Sequence, residues 1–224
     1  MASTFRSQLV AGSPRRPALI RPDGSEEEIP FYAEFERGTR VLDVGCGPGF
    51  HLRQLRARGC DAVGLELSSG VVRQLRDEGL VAVVGAAERL PFPAESFDGL
   101  ICCVVIPYTD ERQAIAEWAR VLKAGGRVRA SYHGLGCALE DMFQPGHHWK
   151  KRFYGSRQLA NTCYYQLLGR RLPGLLGDAL CQTPSRLRKY YRHSGLELVA
   201  EYLHPGMADF PRFVYHDLRK GKGP

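Results

Sequence analysis

With 224 residues, 44% of them hydrophobic and 25% charged, the chain has an ordinary globular composition and the length for one well-buried core. Its longest purely apolar run, Leu100 to Ile106, falls far short of the roughly 20 residues a membrane-spanning helix needs. Arg15 and Arg16 are followed by Pro17 rather than by an apolar export segment, so a cytoplasmic enzyme without a membrane span is expected. The formal charge of +7 admits a polyanionic partner, but the arginines are scattered, which favours a solvated basic surface over nucleic acid. Cys46, Cys60, Cys102, Cys103, Cys137, Cys163 and Cys181 form no C-x-x-C pair. Reduced, mostly buried thiols are expected, with no disulfide framework and no metal site.

Residues 1–38 form a lead-in rich in Pro, Gly and charge, in which Glu26, Glu27 and Glu28 precede a short, partly buried helix predicted around Phe31, Tyr32 and Phe35. From residue 39 to 218 the pattern is that of one domain. Short apolar runs read as buried parallel strands: VLDV (41–44), DAVGLE (61–66), LVAVVG (80–85), GLICCVVI (99–106) and RVRASY (127–132). Between them, helices are predicted from Leu52 to Arg58, closed by Gly59, and from Val71 to Glu78, opened by Ser68 and Ser69 and closed by Gly79. A third, opening at Thr109 and running from Asp110 to Lys123, places Ile115, Trp118, Val121 and Leu122 on one face and closes on Gly125 and Gly126. After the fifth strand the alternation stops, and residues 133–183 read as an inserted cap over the strand ends. A helix from Ser185 to His193 and strands from Leu196 to Tyr202 and from Phe210 to Leu218 follow. The turn between those strands is short, so they are expected to be antiparallel. Residues 219–224 read as a disordered tail. The predicted fold is α/β: a doubly wound, Rossmann-like sheet, mostly parallel with an antiparallel last strand, binding its ligand at the strands' carboxyl ends.

The strongest local signal is VLDVGCGPGF, where a buried strand runs straight into Gly45, Gly47 and Gly49 and then a helix. Glycines let the backbone turn sharply and approach a ligand closely. A dinucleotide fingerprint beginning at Gly45 requires Gly or Ala where Phe50 stands, and a P-loop requires a Gly-Lys-Ser/Thr run, whereas the first lysine is Lys123. Both phosphate-binding readings weaken. Glu66, at the end of the second strand, has the position of a carboxylate that accepts both hydroxyls of a ribose. The structural alternative is a charge at the helix N-terminus beside Ser68 and Ser69.

On these residues the chain resembles the class I S-adenosylmethionine-dependent methyltransferases, and within them the broad small-molecule subgroup called type 11. The resemblance rests on DVGCGPG (43–49), GLELS (64–68), AERLPFPAESFDGL (87–100) and ARVLKAGGRV (119–128), covering residues 38–132 closely and 184–218 more loosely. It implies S-adenosyl-L-methionine as cofactor, with S-adenosyl-L-homocysteine as product. The loop from Asp43 through Gly45, Cys46 and Gly47 to Gly49 would pack on the methionine part, Glu66 would hold the ribose, and Leu67 would lie along the adenine. Ala86, Ala87 and Glu88 would edge the adenine, and Cys103 or Val104 would reach the methionine amino group through the backbone. The resemblance breaks at Ala86, where family members commonly carry an aspartate for the adenine amino group; Glu88 is the available substitute.

A hydroxyl acceptor benefits from a general base, and histidine is the usual supplier. The catalytic candidates are His133, after the fifth strand, and Tyr108, after the fourth. Tyr108, His133, His147 and His148 are candidates for the acceptor pocket, with Tyr132 and His51 weaker. The expected function is methyl transfer to a small-molecule acceptor such as a secondary metabolite, sugar or lipid intermediate. Two rivals are an RNA/DNA or protein N-methyltransferase and a non-catalytic cofactor-binding regulator. Against the first, Val105-Ile106-Pro107-Tyr108 stands where such enzymes place an Asp, Asn or Ser, and Val105 cannot hydrogen-bond an amino group through its side chain. The intact glycine loop and Glu66 weigh against the second.

Overall fold

The computed structural model describes residues 35–174 and 179–221, together with the backbone of two short antiparallel strands, Ala18–Ile20 and Glu26–Glu28. The predicted helix of the lead-in lies outside the described residues except for Phe35, and so do residues 222–224 of the predicted tail.

Seven strands form one sheet: β1 (Arg40–Val44), β2 (Asp61–Glu66), β3 (Val81–Val84), β4 (Phe97–Cys103), β5 (Leu122–His133), β6 (Leu196–His204) and β7 (Phe213–Lys220). Their spatial order is β3-β2-β1-β4-β5-β7-β6. The pairs among β1 to β5 are parallel, while β7 is antiparallel to both β5 and β6. Parallel neighbours need crossovers, supplied by α1 (Phe50–Ala57), α2 (Ser69–Asp77) and α3 (Glu111–Val121). The cap is a helical hairpin, α4 (Leu135–Phe143) and α5 (Trp149–Leu168), and α6 (Pro184–His193) leads back into the sheet.

Both faces of the sheet are covered, which is why its strands read as nearly continuous apolar runs. On one face Leu42, Leu100, Val128 and Tyr132 pack against Trp118 and Ile115 of α3 and Leu187 and Tyr191 of α6. On the other, Val41, Ala62 and Ile101 meet Leu52 and Leu55 of α1 and Val72 and Leu75 of α2.

Several boundaries differ from the sequence reading, each for a local reason. Helix α3 is capped by Asp110 rather than Thr109: its Oδ1 accepts the Gln113 N–H at 3.0 Å. The apolar run of the fourth strand continues to Ile106, but β4 stops at Cys103 because Val104 takes a left-handed backbone (φ 56°) and Ile106–Tyr108 forms a 3-10 turn. Strand β7 starts at Phe213, after a 3-10 turn over Met207–Asp209, and continues through Arg219 and Lys220, which pair with Glu197 and Leu196. Those two residues belong to the sheet, not to the predicted tail.

The cap carries little apolar periodicity because its buried face is polar. On α5 the residues turned inward are Gly155, Gln158, Asn161 and Thr162. Asn161 Nδ2 donates to the Ala179 carbonyl at 2.8 Å and its Oδ1 accepts the Leu172 N–H at 2.9 Å. Thr162 Oγ1 accepts the Cys181 N–H at 2.9 Å and donates to the Gln158 carbonyl at 2.6 Å. Side chains of one helix therefore satisfy the backbone of the irregular return segment, as buried polar groups require.

Candidate cofactor and acceptor site

The reversal of strand order falls between β1 and β4, where an open α/β sheet leaves a crevice at its carboxyl edge. Into that crevice runs the loop after β1. Gly45, Gly47 and Gly49 all adopt positive φ (71°, 50° and 81°), conformations that other residues adopt only at a cost. A Cβ at Gly45 would collide with the Val105 side chain, whereas at Gly47 nothing stands within 4 Å. The loop is thus packed from behind and bare at its apex.

Glu66 ties this loop to the next strand. Its Oε2 accepts the Gly47 N–H at 3.2 Å and its Oε1 the Ser68 N–H at 3.0 Å. A carboxylate oxygen can accept more than one hydrogen bond, so these backbone contacts are compatible with a ligand hydroxyl. Leu67, next in the chain, is exposed. Helix α2 has its own cap in Ser68, whose Oγ accepts the Val71 N–H, so the helix start does not require Glu66.

Asp43 lies beneath the loop, fully buried, and neither of its carboxylate oxygens has a hydrogen-bond partner among the described residues. Burial, followed by the nearby Glu66 charge, pushes its pKa up to about 7. His51 Nδ1 is 3.9 Å from Asp43 Oδ2, and burial lowers this imidazole to about 4. His51, a weaker candidate from its sequence position after the glycine loop on the first helix, is brought against Asp43 by the first turn of α1.

The third edge comes from β4. Val104, β-branched and left-handed, is a backbone outlier of the kind that clusters at ligand sites. Its N–H is held by the Ser131 carbonyl at 2.9 Å, and Cys103 Sγ lies 3.8 Å from Ser131 Oγ. Ala86 and Arg89 form a small bridge after β3, and Ala87 is buried in the core. Glu88 Oε1 accepts the Asp110 N–H at 3.0 Å, committing one of its oxygens to the start of α3.

On the acceptor side, the Tyr108 hydroxyl lies 3.0 Å from that of Tyr154 on α5, which in turn accepts from Gln158 Nε2 at 3.3 Å. Arg171 donates to the Pro107 carbonyl at 3.0 Å and also to that of Thr109, so the cap grips the turn after β4. His133 ends β5, buried, with Nδ1 unpartnered among the described residues; burial and then Arg212 lower its pKa to about 4. Tyr132 points to the opposite face, as strand alternation dictates, and its hydroxyl is 2.8 Å from His216 Nε2 deep in the core. His147 and His148 lie beyond the far end of α4, separated from His133 by that helix. His147 is engaged by Asp141 and Lys151, and His148 caps α5. Tyr154 belongs to the aromatic residues of the cap that the sequence offers as a substrate wall, with Phe153, Tyr164 and Tyr165, whereas Gln158 and Arg171 carry no signal there.

The donor set suits a nucleoside that carries positive charge and no phosphate: a carboxylate for a ribose diol, a bare glycine apex for close approach, and a buried carboxylate awaiting a cation. The strand order, with its antiparallel β7, is that of the class I methyltransferase fold. Residues 42–130 match a family model described as a methyltransferase domain. Among its relatives, a malonyl-[acyl-carrier protein] O-methyltransferase of Herminiimonas arsenicoxydans is 40% identical over 92 residues, 40% of this chain and 35% of that protein. The biotin biosynthesis bifunctional protein BioHC of Cellvibrio japonicus is 38% identical over 112 residues, 48% of this chain and 22% of that protein. The chain thus spans about a third or less of these two relatives. The fold matches that of an S-adenosylmethionine-dependent methyltransferase from Mesorhizobium loti with a TM-score of 0.61 at 17% identity, covering 82% of this chain and 91% of the other.

Proposed function

We propose that this protein transfers a methyl group from S-adenosylmethionine to a small-molecule acceptor enclosed between the carboxyl edge of the sheet and the cap. The observation that carries this reading is the Glu66 carboxylate fastened to the Gly47 amide above the unpaired Asp43. Bound there, the cofactor supplies an electrophilic methyl carbon, and transfer needs a nucleophile held in line about 3 Å away. Glu66 accepts the ribose hydroxyls, Leu67 offers an apolar face to the adenine, and Asp43 ionises when a positive charge is placed beside it. The backbone at Cys103 and Val104 borders the methionine end. Ala86 leaves the adenine amino group without the usual carboxylate.

Tyr108 and Tyr154 wall the acceptor side, and His133, uncharged at neutral pH, offers Nδ1 to an acceptor hydroxyl. A small acceptor is favoured over a base or protein side chain because Val105 is packed on Gly45 and α5 covers Tyr108. The test is transfer of labelled methyl groups to extract fractions of small molecules, RNA and protein. Label in small molecules, lost on Glu66→Ala, is the expected result; label in RNA or protein alone would overturn the acceptor class. Unchanged turnover of the true substrate by His133→Ala would remove His133 from the chemistry.

A further inference from the structure

Helix α5 is inverted: the face it buries is polar, and the face it shows to solvent is not. At 100° per residue, Trp149, Phe153, Ala160, Cys163 and Leu167 fall on one ridge opposite Gln158. Trp149, Phe153 and Leu167 are 65%, 55% and 82% exposed. The one hydroxyl on the ridge, Ser156 Oγ, donates to the Phe153 carbonyl of its own helix at 2.9 Å, so it needs no water. Phe143, at the end of α4, is a further exposed aromatic side chain before the turn into α5. Charge follows the same line. Residues 142–177 contain six Lys and Arg and no Asp or Glu, and of these the exposed Lys150 and Arg152 flank the ridge while Arg170 follows its end.

We propose that this ridge docks on an anionic lipid bilayer, with the helix lying along the interface. A strip of α5's 20 residues is about 30 Å long, edged by cations for lipid phosphates, with an aromatic end and an aliphatic end, as in helices that seat at a headgroup boundary. A second copy of the chain fits less well, because α5 against α5 sets cations against cations with no acid to pair them. Nucleic acid fits less well too: from Ala160 onward the ridge itself carries Ala160, Cys163 and Leu167, none of which a base can stack on. Among the described residues no helix is long and apolar enough to cross a membrane, so the contact is peripheral. The proposal is independent of the cofactor.

The chain has its own reporter, since of its two tryptophans Trp118 is fully buried and Trp149 is on the ridge. The purified protein is mixed with vesicles of phosphatidylcholine, with or without phosphatidylglycerol, and followed by tryptophan emission and co-sedimentation. The expected result is a blue shift and sedimentation with the anionic vesicles only, weakened by salt and reduced about ten-fold or more in the Phe153→Glu/Leu167→Glu variant. That variant should keep the wild-type thermal midpoint and S-adenosylhomocysteine affinity. Four results would overturn the proposal: no partitioning of the folded wild type, undiminished partitioning of the variant, tighter ridge-dependent binding to single-stranded RNA, or a ridge-dependent dimer in place of vesicle binding.

Discussion

Asp43 is buried with neither carboxylate oxygen hydrogen-bonded among the described residues, which opposes folding. Its pKa is raised from 3.8 to about 7, so between those values the folded protein binds the proton more tightly than the unfolded chain, and stability falls as pH rises through that window. The full penalty, reached above about pH 7, is of order 4 kcal/mol at most. Asp43→Asn should therefore stabilise the ligand-free protein by an amount that grows from pH 4 to 7 and then levels off, while weakening S-adenosylhomocysteine binding. Denaturant unfolding across pH checks the first part; a variant that gains nothing at pH 7 would refute the assignment. His133 points the other way: lowered to about 4, it stays unprotonated well below the ordinary 6.5. If its protonation limits turnover, the acid limb of the kcat profile should lie near pH 4 rather than near 6.5, after correction for unfolding. The glycines and Glu66 were legible in the sequence because backbone need and ribose recognition restrict the residue type at fixed spacing. The position of His133 directly after the fifth strand sets it apart from His147 and His148 in the sequence, but that α4 stands between them does not follow from local pattern.

The elements carry a different lesson. Strand and crossover-helix identities from β1 to β5 follow from apolar runs and caps, but the end of β4 does not, because Cys103 and Val104 look alike by hydropathy while the chain turns left-handed between strand and turn. The cap was hardest to read, since α5 hides a polar stripe and exposes an apolar one, the reverse of the usual amphipathic rule. Its fixing points yield sharp expectations. Asn161→Ala leaves the Ala179 carbonyl and the Leu172 N–H unsatisfied in the interior and should cost about 1–3 kcal/mol per stranded group. At Gly155 an added Cβ would sit 2.6 Å from the Ala138 carbonyl oxygen, so Gly155→Ala must push α4 and α5 apart. It should destabilise by about 1–3 kcal/mol and raise the acceptor KM more than it weakens cofactor binding. A thermal midpoint and a KM both unchanged would show that the hairpin crossing is looser than described.

Across the whole molecule, the order of the sheet reverses between β1 and β4, and elements far apart in sequence are tied together around it. One such tie is the buried cluster in which Arg186 Nε donates to Glu111 Oε1 at 2.5 Å and Gln182 Nε2 to Glu111 Oε2 at 3.1 Å, joining α3, the return segment and α6. Removing one partner leaves the other charge buried and unpaired, so Glu111→Ala should cost about 3–5 kcal/mol, read from denaturant midpoints. No local pattern announced that link, because its members are 71 and 75 residues apart and each alone reads as a surface residue. The central claim, that the crevice is built for a phosphate-free sulfur nucleoside, is tested most directly by calorimetric titration of the purified protein with S-adenosylhomocysteine and, separately, with NAD. The account predicts micromolar or tighter binding of the sulfur nucleoside, lost in Glu66→Ala, and no binding of NAD. Binding of NAD, or no binding of S-adenosylhomocysteine to folded protein, would contradict it.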